Sequence, residues 1–580
     1  MAAPPRKTFL RRPDWVVAVL ITAAVIWLHG FFSTHAGGLW RDEVNLVNLA
    51  GRHSLNDMAK DSFPVLMPLT VRGWLAVGPG RSDEGLRFLG ALIGLGMVAA
   101  LWLSAWMTRG SPPLLSLVLL ALNSTVVIYG DSLRGYGLGS LLIMLTVGAA
   151  GAFLRCPSPR RAGWLALFAV LSVQTLYQNA VFVGAICIGS WAVCARHKAG
   201  RVAMLILGAG LIAAISLLPY VPMLVSGRSS VEVLRTDLHF KYALDNLAAA
   251  TGFPFGIYAC VWVLLVITGI VSGGAVLCRK METPDQTGRD VTAEDARLFA
   301  GMTMITACAG FAGFLWLAGL PTQTWYFVPL MALVAACFDA GLPSLPRLVR
   351  VVFFGFVAAT ALIAIPVAQR DLNGYRFTNV DLVSRQLTAE ASPEDYVVVT
   401  PWYCGISFDR YFKGSTPWTT LPPLADHLTH RYDLVRIQMQ NTNAIQPVLD
   451  QIATTLQSGR RVWVISEAGL MDVPEPGTMS PFNLPPPPLK SWGWSSLPYM
   501  LEWLSQTAHF LGNHSRQFER VKTLTPGNLH INESLDLFVA SGWQVSMPAN
   551  SPPATKSNLK EASEPDHSNF KRQAVRQAVP

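Results

Sequence analysis

The sequence predicts a polytopic α-helical membrane protein, about eleven transmembrane helices followed by a C-terminal extracytoplasmic α/β domain. Three observations predict it. Hydrophobic residues make up 51% of the 580 and charged residues only 14%, with a mean hydropathy of +0.36, a balance that excludes an ordinary soluble enzyme. Apolar runs recur along the first two thirds, many close to the roughly 20 residues a helix needs to cross a bilayer. Beyond Gln369 the composition shifts, and short apolar strands begin to alternate with amphipathic helices. The net charge of +9 would suit a nucleic-acid binder, but the Lys and Arg sit in short clusters between apolar runs. That arrangement is a topology signal rather than one basic surface.

In chain order the runs are Asp14 to Phe32, Leu86 to Met107, Leu114 to Tyr129, Tyr136 to Leu154, Trp164 to Tyr177, Val181 to Cys194, Val202 to Leu224, Gly256 to Leu277, Phe299 to Gly319, Trp325 to Phe338 and Val351 to Ala368. The Tyr177 to Val181 break is either a loop or a kink, and a kink would make the count even. The basic start "PPRKTFLRR" places the N-terminus inside. Alternating from there, the inside loops are "TRGSPP", "RCPSPRRAG", "ARHKAGR", "CRKMETPDQTGRDVTAEDAR" and "DAGLPSLPRLVR", each with at least one Arg. The outside then receives a long first loop, 33–85, the "GDSLRG" turn, 226–255, "LPTQT" and everything after Gln369. The first run is full length with no small-residue cleavage site behind it, so it reads as a retained span. This gives a membrane domain over 1–368, a periplasmic α/β domain over 369–548 and a disordered tail over 549–580.

In the outer domain "DYVVVTP", "RVWVIS" and "SLDLFVA" read as buried strands, while Phe377 to Ala391, Ala444 to Gln457 and Leu497 to Leu511 read as helices. The Pro-rich "VPEPGTMSPFNLPPPPLKSWGW" reads as an irregular loop. Only Cys404 of the eight cysteines falls clearly in the outer domain, so no disulfide framework is expected.

Charges placed where a chain leaves the lipid call for a purpose or a partner. Asp42 and Glu43 follow the first span in "LWRDEVNLVNLAGRH", and Arg134 lies in "YGDSLRGYGLG". A plain reading makes Asp42 a helix cap and Arg134 a headgroup anchor. The order "LWRDE", "SFPVLMPL", "DEGLRFLGALIGL", "YGDSLRGYGLGSL", on the sides the topology assigns, resembles the GT-C class of membrane glycosyltransferases. Within that class it is similar to bacterial relatives of the protein O-mannosyltransferases (dolichyl-phosphate-mannose-protein mannosyltransferases) and to the lipid A aminoarabinose transferase family. The resemblance covers roughly the N-terminal two thirds.

The resemblance implies an inverting, polyprenyl-phosphate-sugar-dependent hexosyl or pentosyl transferase in a cell inner membrane. Such an enzyme passes its sugar to a hydroxyl of an envelope glycan, lipid or protein at the periplasmic face. It implies Asp42 as the general base and Glu43 as a neighbour that orients the acceptor or a substrate cation. Arg134 would balance the departing phosphate. Tyr136 would either donate a hydroxyl or stand as a belt aromatic. Arg72, Arg235 and Lys241 are further outer cations and low-ranked candidates for holding the carrier phosphate, each otherwise a solvated loop residue. The lipid-linked sugar donor is the only small molecule required, with no obligate metal, and no nucleic acid is expected. The chain departs from the family at Phe63 and Val65, where a histidine and a second proline would stand. It departs again at Trp325 and Tyr326, in place of an Arg-Tyr pair, and at "QTLYQNA", where a histidine is usual. These departures point to a divergent substrate or to lost activity. Two other classes compete: a non-catalytic receptor or assembly subunit of envelope glycan synthesis, and a lipid-linked glycan transporter. The latter should carry ionisable groups near mid-membrane.

Overall fold

A computed structural model describes residues 13–52, 54, 58, 63–108, 111–225, 240–252, 255–278, 293–319, 321–341, 347–467, 471, 496–523, 528–530 and 533–545. Arg235, the Pro-rich segment and the 549–580 tail lie outside the described residues. The chain divides into two compact units. One holds the helices up to Asn373; the other combines Gly37–Asn48 with the chain from Gly374.

The first unit is helical. Among the described residues, eight of its helices are long and apolar enough to cross a membrane: Asp14–His35, Asp83–Thr108, Gly135–Arg155, Asn179–Arg196, Gly200–Val225, Tyr258–Cys278, Ala293–Ala318 and Gly355–Leu372. The first of these belongs to α1 (Pro13–His35). The other three apolar runs form shorter helices, for local reasons. Leu114 to Tyr129 breaks into Leu114–Ser116, a π turn over Leu117–Ala121, and Ser124–Gly130. The break falls at Asn123, whose side chain accepts from the Thr125 N–H at 2.9 Å and donates to the Ala250 carbonyl at 2.8 Å. Trp164 to Tyr177 becomes Pro159–Val173, and Trp325 to Phe338 becomes Val328–Gly341 behind a 3₁₀ turn.

The polar run that follows Val173 makes the expected break a loop rather than a kink. Gln174 donates to the Ser216 carbonyl and accepts from the Tyr220 hydroxyl, Gln178 donates to the Tyr326 carbonyl, and Asn179 to the Gly139 carbonyl. The Ser216 carbonyl follows the last residue of helix Gly200–Ile215, where a helix end leaves an acceptor open. Glycines bring the helices close: a Cβ on Gly137 would lie 2.1 Å from the Gly130 carbonyl oxygen, and one on Gly273 would lie 2.9 Å from the Gly301 Cα.

The second unit is a three-layer α/β arrangement. Its strands are β1 (Tyr375–Arg376), β2 (Tyr396–Val399), β3 (Trp418–Thr420), β4 (Val462–Glu467), β5 (Ser515–Val521), β6 (Asn528–Leu529) and β7 (Leu535–Trp543). Five form one sheet in the order β3-β2-β4-β7-β5, and β1 pairs with β6. β3, β2 and β4 run parallel; β7 and β5 are antiparallel additions.

Strand alternation sends Val397, Val399, Trp463, Ile465 and Leu537 to one face, under helices Val380–Glu390 and Cys404–Tyr411. Val398, Val464, Phe538 and Ala540 go to the other, under Tyr432–Met439, Gln446–Gln457 and Ser496–His514. The three strands and three helices read from the sequence are all present. β3, β5 and the helices at Cys404 and Tyr432 are additions. Because Ile465 is wholly buried in the central strand, Ile465→Ala should destabilise the α/β unit by about 2–5 kcal/mol, measured by tryptophan-fluorescence unfolding in urea.

Candidate active site

The helix α2 (Arg41–Ala50) belongs to the second unit, at the end of the sheet where β2 and β4 finish and β7 begins. Its entry is fixed by Gly37, whose φ of +69° is left-handed and whose missing side chain leaves room for Arg376; a Cβ would meet that guanidinium at 2.2 Å. Arg376 in turn pairs with Asp381 at 2.6 Å. Trp40 stacks on Phe377 with ring centroids 5.6 Å apart, and the Leu39 N–H donates to the Tyr411 hydroxyl at 2.6 Å.

Three consecutive charges at the start of α2 meet three different environments. The Arg41 guanidinium is buried among acids. Its Nη1 lies 3.2 Å from Glu467 Oε1 and 3.9 Å from Glu533 Oε2, and its backbone N–H donates to Glu533 at 2.8 Å. Its Cζ also sits 4.1 Å from the Tyr403 ring centroid. Asp42 Oδ1 accepts from His430 Nε2 at 3.1 Å. Glu43, fully buried, turns back on its own helix end, where Oε2 accepts from the Trp40 N–H at 3.4 Å. That is half of a capping box. The sequence reading of Asp42 as the cap is therefore corrected: Glu43 takes the capping contact and Asp42 faces a histidine.

The acids around Arg41 are strongly perturbed. Burial pushes Glu467 up to about 7 against the pull of Arg41 and of the Tyr403 hydroxyl, which donates to it. Burial likewise pushes Glu533 up to about 7, although Arg41, Ser407 and Thr378 all favour its charged form. Burial and the Arg41 charge hold His530 down to about 3. Burial opposes the charge on Arg41 as well, but Tyr403 and the two glutamates outweigh it and raise the guanidinium above its ordinary value. Burial also raises the Tyr403 hydroxyl and the Cys404 thiol well above their ordinary values.

In the first unit Arg134 precedes helix Gly135–Arg155 as its N-cap. It is 7% exposed, and its guanidinium lies over Phe63, 4.4 Å from the ring centroid. Tyr136 is 2% exposed; it meets Phe63 edge-on at 6.2 Å and Tyr326 at the same distance. Trp325 packs on Tyr129 at 5.0 Å. The headgroup-anchor reading of Arg134 and the belt-aromatic reading of Tyr136 are corrected by this burial, since both those roles need an exposed side chain.

The Arg134 turn is tied down by a buried pair in which His29 Nδ1 donates to Asp131 Oδ1 at 2.7 Å, with Arg87 also buried and its charge felt at Asp131. Gly94 makes room for this pair, for a Cβ there would lie 1.8 Å from Asp131 Oδ1. Arg72 is exposed and donates to the Arg52 carbonyl at 3.4 Å. Lys241 is exposed on helix Phe240–Ala250. Neither joins the Arg134 group. No cluster of three metal-ligating side chains occurs among the described residues, and none of the eight cysteines forms a disulfide.

No protein-family model matches the sequence, and no curated protein matches it. Among solved structures, the chain is similar to ArnT from Cupriavidus metallidurans bound to undecaprenyl phosphate, at 13% identity over 78% of this chain and 93% of that one, with a TM-score of 0.48. It is also similar to the Archaeoglobus fulgidus oligosaccharyltransferase tethered with an acceptor peptide, at 11% identity over 79% of this chain and 69% of that one, with a TM-score of 0.42.

The sequence reading missed His430, Glu467 and Glu533. The stability of the second unit should report the two glutamates. A carboxyl that titrates near 4.5 in the unfolded chain and near 7 in the fold binds more protons folded than unfolded across that window. Stability from it is full below 4.5 and falls as pH rises through 7. Glu467→Gln removes one such group. The variant's melting temperature relative to wild type should therefore improve steadily from pH 5 to pH 8, measured by thermal scanning in buffers of constant ionic strength. A difference that stays flat across this range would contradict the assignment.

Proposed function

We propose that the chain is a GT-C-like glycosyltransferase that moves a sugar from a polyprenyl-phosphate carrier to an acceptor hydroxyl, without an obligate metal. The observation that carries it is the pair of charges at the two motif positions: Asp42 held through one carboxylate oxygen by His430, and Arg134 buried with its guanidinium face on an aromatic ring. The motif order and the sidedness predicted by the charged loops support the same reading.

In this reading the acceptor oxygen attacks the anomeric carbon as Asp42 takes its proton, and the bond from that carbon to the phosphate oxygen breaks with inversion. The leaving group is a phosphate, stable as an anion, so it needs a fixed cation rather than a proton. Arg134 supplies that cation with a planar donor fork. Tyr136 lines the same turn. Arg72, Lys241 and Arg235 stay low-ranked carrier contacts.

Glu43 is left with its helix end. Phe63, standing where relatives have a histidine, gives Arg134 an apolar platform, and this fits a carrier or acceptor unlike theirs. The membrane is the cell inner membrane, with the N-terminus cytoplasmic and the α/β unit periplasmic, and the acceptor is an envelope glycan, lipid or protein.

The test is release of polyprenyl phosphate by purified protein from a panel of radiolabelled polyprenyl-phosphate-linked hexoses and pentoses, with a crude envelope extract as acceptor. Asp42→Asn should lower kcat on the order of 10²- to 10⁴-fold, and Arg134→Ala about 10²- to 10³-fold, with both variants folded by thermal scanning. Equal turnover in all three proteins, or none with any donor, would overturn the proposal in favour of a receptor role for the α/β unit.

A further inference from the structure

Asp42 is one of three polar residues spaced along α2 at i, i+3 and i+6, which places them on one helix face. All three reach the same short segment of the second unit. Asn48 Nδ2 donates to the Leu428 carbonyl at 2.8 Å, the His430 N–H donates to Asn45 Oδ1 at 3.0 Å, and His430 Nε2 donates to Asp42 Oδ1 at 3.1 Å. Two of these bonds hold the backbone of 428–430; the third is made by the ring. The ring is itself held in plane, stacked on Tyr432 at 5.5 Å with a 7° tilt and set edge-on to Trp402 at 6.1 Å. Segment, ring plane and ring nitrogen are thus each specified, more than fastening a helix to a domain requires.

We infer that His430 is the positioning residue of Asp42: through its Nε2 it orients the carboxylate by one oxygen for proton removal from the acceptor hydroxyl. This rests on the reading of Asp42 as the base. The bond changes are those of the transfer itself, with the hydroxyl proton going to Asp42 and the electron pair to the carrier phosphate. His430 neither gains nor loses a proton during the step.

Around the pair, Arg41 Nε lies 4.0 Å from Asp42 Oδ1. Arg431, next in the chain, is taken up by Asp426 and Asp433, each at 2.7 Å.

The test compares wild type, His430→Gln and His430→Ala in the same carrier-release assay, with thermal scans of each protein. His430→Ala should lose about tenfold or more in kcat with KM unchanged. Gln keeps an N–H donor for Asp42, so His430→Gln should recover most of that loss in kcat.

A residue that only fastens the helix would not give a kcat loss that a bare N–H donor restores at unchanged KM. His430→Ala as fast as wild type, or His430→Gln as slow as His430→Ala, would overturn the inference while leaving the glycosyltransferase reading standing. If Ala does not fold, His430→Phe, which keeps a ring on Tyr432 but no donor, takes its place. Wild-type protein inactive with every donor, or Asp42→Asn as active as wild type, would overturn both.

Discussion

A guanidinium cannot shed its proton, so once Arg41 is buried its charge must be met by other charges. Glu467, Glu533 and the face of Tyr403 meet it. They can do so because parallel β2 and β4 end, and antiparallel β7 begins, at one edge of the sheet. The position of α2 follows from this contact. Successive residues of a helix point about 100° apart, so with Arg41 aimed at the glutamates, Asp42 is swung onto His430 and Glu43 back onto Trp40. The adjacent charges thus do three separate things: the first anchors, the second meets His430, and the third closes the helix end.

In the first unit aromatic rings gather around Arg134. Arg134 is buried against Phe63, and Tyr136, Tyr326, Trp325 and Tyr129 extend the apolar surroundings. Ring faces offer partial negative charge to a cation while leaving its N–H groups directed elsewhere. A turn that presents a guanidinium must also be rigid, and the His29–Asp131 pair, seated in the space Gly94 leaves, fastens the residues just ahead of it.

The spans were legible because length and hydropathy are local properties. The break at Asn123 was not, because its side chain bonds to Ala250, which no local window contains. The break ahead of Val181 was expected, but that it is a loop was not legible, because Gln174 bonds to the distant Ser216 and Tyr220. In the α/β unit the buried strands β2, β4 and β7 stood out as apolar runs. β5 did not: an edge strand with most of its side chains exposed reads as "SRQFERV", with no apolar face. Asp42 was legible through its motif. Its histidine partner was not, being 388 residues away in "HLTHRY", which carries no spacing of its own. The one available signal was the polar stripe Asp42, Asn45, Asn48 set among Val44, Leu46, Val47 and Leu49, which implies a partner segment without naming it.

The separation between Arg41 and its counter-charges also fixes an order of events during synthesis. Glu467 follows Arg41 by 426 residues and Glu533 by 492. At ordinary elongation rates of 5–20 residues per second, this is a delay on the order of half a minute or more. Throughout it the short helix after the first span has left the ribosome while the acids that will surround its arginine do not yet exist. The segment must stay solvated or chaperoned until the end of the chain arrives, and a chain stopped short of β4 leaves that arginine without either glutamate.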